Sequence, residues 1–68
     1  MIIENVAELG EIVKDARKSQ GLTQADLAIS ADVGVRFIVD LEYGKETAQI
    51  GKVLKVCKML GLKLELKG

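Results

Sequence analysis

The chain has 68 residues, 49% apolar and 29% charged, with ten Lys plus Arg against ten Asp plus Glu for zero net charge. That describes one small globular domain, residues 1–68, which buries only about 60% of its unfolded surface and should have about 3–10 kcal/mol of stability, so that a partner subunit would matter. With no histidine, one cysteine and no Gly-rich phosphate loop, the chain lacks the usual general base near neutral pH, a metal-ligand cluster and a nucleotide cradle; neither catalysis nor a cofactor or metal is expected.

No apolar run approaches the roughly 18 residues of a membrane span, and no signal peptide or transit sequence is expected. Cys57 cannot close an internal disulfide, which fits a cytoplasmic protein.

The absence of proline and the spacing of apolar residues predict a mainly helical chain. Asn5, with Glu8 three residues on, can cap a first helix whose stripe is Val6, Leu9, Val13 and Ala16, ending at Gln20 and Gly21. Glu11 and Asp15 then lie on its solvated side. Thr23 and Asp26 form a capping box for a second helix that buries Leu27 and Ala28 and ends near Ala31. A third helix runs from about Gly34 to Tyr43 and is stopped by Gly44. The fourth spans about Ala48 to Leu60, with Thr47 as cap, Gly61 as terminator and Ile50, Val53, Leu54, Cys57 and Leu60 as the inner stripe. Cys57 reads as a small core hydrophobe.

Past Gly61 the period becomes two: Leu62, Lys63, Leu64, Glu65 and Leu66 alternate apolar and charged, as in a strand with one buried face. A lone strand cannot satisfy its own backbone groups. The simplest partner is the same strand of a second subunit across a two-fold axis; Ile2 and Ile3, or a frayed tail, are the alternatives.

At about 100° per residue the third helix puts Phe37, Ile38 and Leu41 on one side and Val35, Arg36, Val39 and Tyr43 on the other. A purely structural helix would carry Lys, Glu or Gln where the two valines stand, so this stripe reads as a contact surface. In a DNA major groove, Arg36 could donate two hydrogen bonds to guanine and the valines could meet thymine methyl groups, while Gly34 would let the backbone approach closely. A protein partner on Val35, Val39 and Tyr43 is the competing reading, and salt dependence separates the two.

The run Thr23-Gln24-Ala25-Asp26-Leu27-Ala28, followed by Val33, Ile38, Leu41-Glu42 and Gly44-Lys45, resembles the helix-turn-helix of the Cro/cI repressor superfamily, also called Xre, over about Leu9 to Leu60. The segment Thr47-Ala48-Gln49-Ile50-Gly51-Lys52-Val53-Leu54, then Leu60-Gly61-Leu62 and the alternating tail, is similar to a narrower group, the HipB-type antitoxins. The resemblance implies an all-α, lambda-repressor-like domain of about four helices, with the helix-turn-helix at 23–43 and a C-terminal β-strand at 62–66 paired across a homodimer through Leu62, Leu64 and Leu66. It further implies a repressor that binds a palindromic operator, silences its own operon and holds a HipA-type kinase toxin. A phage-type repressor without a toxin is the alternative.

Position by position, the resemblance puts Gly34, Val35, Arg36 and Val39 at base edges, Thr23, Gln24, Tyr43 and Lys45 on the DNA backbone, and Arg17 with Glu42 in a structural salt bridge. Two positions depart from the pattern: Asp32 stands where glycine is usual in the turn and must take a left-handed conformation, and Gly34 leaves the third helix without the usual Ser or Thr cap. The charge is also lopsided. Residues 1–44 carry four cations and eight anions, and residues 45–68 six cations and two anions, so the value of Lys52, Lys55 and Lys58 to DNA binding depends on where they face.

Overall fold

The computed structural model describes residues 3–46 and 48–65. Its helices are α1 (Val6–Ser19), α2 (Gln24–Ala31), α3 (Val35–Tyr43) and α4 (Ile50–Met59). α1 starts where extended Asn5 accepts the Glu8 N–H at 2.9 Å; the Glu8 carboxylate reaches back past Asn5 to the Glu4 N–H at 2.8 Å. α2 starts at the Thr23–Asp26 capping box, with bonds of 3.0 and 2.9 Å in the two directions. Hydrogen bonds from the Thr23 backbone and then its hydroxyl hold the Asp26 carboxyl below its ordinary pKa. Asp32 ends α2 in the left-handed region at φ 55°, and Gly44 ends α3 at φ 88°.

α1 lies across α3, and α2 packs against both α3 and α4. The fully buried side chains at their meeting point are Val13, Leu27, Ile38, Leu41, Val56 and Cys57. Burial pushes the Cys57 thiol up in pKa, so it is a core residue rather than a nucleophile. Gly10 sets the α1–α3 spacing: a Cβ there would lie 2.4 Å from the Leu41 carbonyl oxygen and 2.8 Å from that of Glu42. At the other end of α1, the Gln20 amide donates to the Leu60 carbonyl at 2.9 Å and ties α1 to the end of α4.

α4 differs from its sequence reading in two ways. It begins at Ile50 rather than Ala48, behind Gln49 with no side-chain cap; Thr47, the expected cap, lies outside the described residues. Its buried face is Val53, Val56, Cys57 and Leu60, while Ile50 and Leu54 are 67% and 48% exposed. At about 100° per residue those two lie on one edge of the apolar stripe and Val56 on the other. Beyond Gly61, the Leu62 N–H turns back to the Cys57 carbonyl at 2.8 Å and Leu62 packs against the core. The next residues run without regular secondary structure, and no strand is found among the described residues; Leu66 and Ile2 lie outside them. A strand needs a neighbouring strand to pair with, and none is found among the described residues.

Candidate nucleic-acid interface

α3 is held from behind by charge as well as by packing. Arg17 donates from Nε to Glu42 Oε2 at 2.7 Å and from Nη2 to Oε1 at 3.0 Å, and its Nη1 donates to the Leu22 carbonyl at 2.8 Å. Both residues are 8% exposed. Hydrogen bonds to Glu42 raise the Arg17 pKa, so the guanidinium stays charged. Gln24, the first residue of α2, donates to Glu42 Oε1 at 3.3 Å. One carboxylate thus joins the end of α1, the start of α2 and the end of α3. Of the expected backbone-contacting residues, Gln24 is half-buried in this network, whereas Thr23 is exposed with its oxygen engaged by the Asp26 N–H.

The opposite side of α3 meets solvent. Gly34 is exposed and supplies no side-chain cap, Val35 is 47% exposed, Arg36 is open and Tyr43 is 91% exposed. Val39 is half-buried rather than open. A Cβ on Gly34 would meet nothing within 4 Å, so the backbone there is free to approach a surface.

Asp40 is the residue that reading the sequence missed. Its carboxylate faces Arg36 Nε at 3.3 Å and Lys45 Nζ at 3.6 Å, linking two residues assigned to DNA from sequence. The i,i+4 spacing of Arg36 and Asp40 is the signal that could have found it. Lys52 lies beside them, with its ammonium 5.9 Å from the centre of the Phe37 ring and in the same shallow hollow as Asp40 and Lys45. Lys58 instead borders the tail, with Gly61, Leu62 and Lys63, and Lys55 is exposed. Cations from the basic C-terminal third therefore extend the α3 face through Lys45 and Lys52.

Two short helices joined by a tight turn at Asp32, the second fixed from behind and open to solvent on its other side, are the layout of a helix-turn-helix domain. The helix-turn-helix family model matches residues 13–67, and the chain belongs to this family, of the Xre type. It is a family of DNA-binding transcription-regulator domains, not of enzymes. The uncharacterized HTH-type transcriptional regulator y4mF of Sinorhizobium fredii is 53% identical over 64 residues, 94% of this chain and 84% of that protein. In fold, the chain matches one from a HipA-HipB-O2-O3 complex with a TM-score of 0.89 at 22% identity, covering 100% of this chain and 96% of that one. It matches the restriction-modification controller protein C.Esp1396I with a TM-score of 0.77 at 24% identity, covering 93% and 80%. No helix among the described residues is long and apolar enough to cross a membrane.

Proposed function

We propose that this chain is the antitoxin and autorepressor of a toxin-antitoxin operon. It acts as a homodimer whose two α3 helices enter successive major grooves of a palindromic operator, with half-sites about 34 Å apart. The observation that carries the reading is the open side of α3, with Val35, Arg36 and Tyr43 exposed and Val39 half-buried beside them, continued by Lys45 and Lys52.

In this reading Gly34, Val35, Arg36 and Val39 meet base edges, with Arg36 bidentate to guanine and the valines on thymine methyl groups. Thr23, Gln24, Tyr43 and Lys45 meet the phosphate backbone and set the register. The tail, through Leu62, Leu64 and Leu66, pairs with its copy and supplies the second reading head. The partner protein is a kinase toxin of the HipA type; the likeness in fold to a chain of the HipA-HipB-O2-O3 complex supports this, as do the residues of the α4 segment and tail that resemble HipB-type antitoxins.

Arg36→Ala is expected to cost about 1–3 kcal/mol of operator affinity and to relax preference at one base pair in each half-site. Titration against duplexes with single base-pair changes reads this directly, and an unchanged preference profile removes Arg36 from base reading.

A further inference from the structure

α3 carries two acids, and the fold uses them differently. Glu42 is committed to Arg17 behind the helix, whereas Asp40 stands on the side offered to DNA, its side chain 26% exposed. An anion there opposes phosphate. Yet its carboxylate touches Arg36 at 3.3 Å and Lys45 at 3.6 Å, and shares a hollow with Lys52. Arg36 is 84% exposed, with its Nε 3.3 Å from Asp40 Oδ1, so its side chain runs along α3 toward Asp40 while remaining open to solvent.

We propose that Asp40 is a positioning residue that takes the place of DNA in the free protein: it aims Arg36 and masks the charge of Arg36 and Lys45 until a matching duplex offers better acceptors. The inference rests on the reading that α3 faces the groove. Exposed ion pairs of this kind are weak and exchange readily. Non-operator DNA, which offers phosphate alone, must compete with the carboxylate for both cations. An operator adds guanine O6 and N7 as acceptors for a guanidinium already aligned. Asp40 therefore lowers affinity for all DNA but lowers it most where no base matches.

The test compares the wild-type chain, Asp40→Asn, Arg36→Ala, the double variant and Asp15→Asn, an exposed α1 acid with no ion pair among the described residues. The probes are a random-sequence duplex and a duplex selected by the wild-type chain from a random pool, each titrated across salt concentrations. Asp40→Asn should bind the random duplex about three- to tenfold more tightly, with a log–log salt slope steeper by about one to two units as two cations are freed for phosphate. The ratio between selected and random duplex should narrow. Asp15→Asn should change the slope less, and adding Arg36→Ala to Asp40→Asn should remove about one unit of the gained slope.

Random-duplex affinity and slope in Asp40→Asn equal to those of Asp15→Asn overturn the proposal, and so does a lowered melting temperature with no change of slope, which marks a merely structural pair. A steeper slope in Asp40→Asn together with an Arg36→Ala base profile unchanged from wild type supports the masking role and rejects only base reading by Arg36.

Discussion

Glu42 binds Arg17 through both carboxylate oxygens, receives Gln24 as well, and sits at 8% exposure, so neither charge can turn to water if the other is lost. Breaking a buried pair from one side costs about 3–5 kcal/mol, because the desolvated partner remains. Glu42→Ala should therefore remove about 3 kcal/mol or more in urea unfolding, a large share of what a 68-residue domain has. The apolar double variant Arg17→Met with Glu42→Leu should recover most of that loss, since a buried ion pair stabilises little over a packed apolar one. A double variant less stable than Glu42→Ala would show that the bond from Arg17 to the Leu22 carbonyl carries the stability instead. Asp32 shows the residue scale from the other side: its left-handed φ of 55° is the one expected from its place at the turn position where the resembled family carries glycine.

Among the elements, α1 and α3 are spaced by an absent side chain. Gly10 is buried against the carbonyls of Leu41 and Glu42, whereas a Cβ on Gly51 in α4 would meet nothing within 4 Å. The same substitution should then act in opposite directions. Gly51→Ala should stabilise by up to about 1 kcal/mol through helix propensity. Gly10→Ala should destabilise by about 1–3 kcal/mol despite the same propensity gain, because backbone oxygens cannot rotate away. Thermal unfolding of the two variants checks this, and equal shifts would mean that α1 and α3 separate at no cost. The caps and stops of α1, α2 and α3 were readable because they are local in sequence. α4 was not: Ile50 and Leu54 have the apolar spacing of an inner stripe, and only the position of α2 decides which edge of that stripe is covered.

For the molecule as a whole, part of the uncovered apolar surface lies at the C-terminal end. Leu64 is 44% exposed, and with Ile3, Leu9, Ile12 and Leu62 it lines an open hollow of about 380 Å³. A second copy of the tail would fill such a hollow and satisfy the backbone of residues 62–65 together. Ending the chain after Leu62 retains the Leu62 contact with the core, so the truncated protein should keep its helices. It should sediment as a monomer and lose operator affinity. An undiminished dimer would move the subunit contact elsewhere, with Ile50 and Leu54 on α4 as the next surface to probe.

The sequence by itself determined that there are four helices, the caps of α1 and α2 at Asn5 and Thr23, the stop of α3 at Gly44 and which side of α3 meets water, because each depends on contacts within about one helical turn. Only the tertiary structure decided that Asp40 binds Lys45 as well as Arg36, that Gly10 lets α1 approach α3, that Gln24 reaches Glu42, and that Lys52 rather than Lys58 lies beside α3. Those facts depend on how the helices cross. Helical periodicity specifies a face but says nothing of the neighbour that covers it.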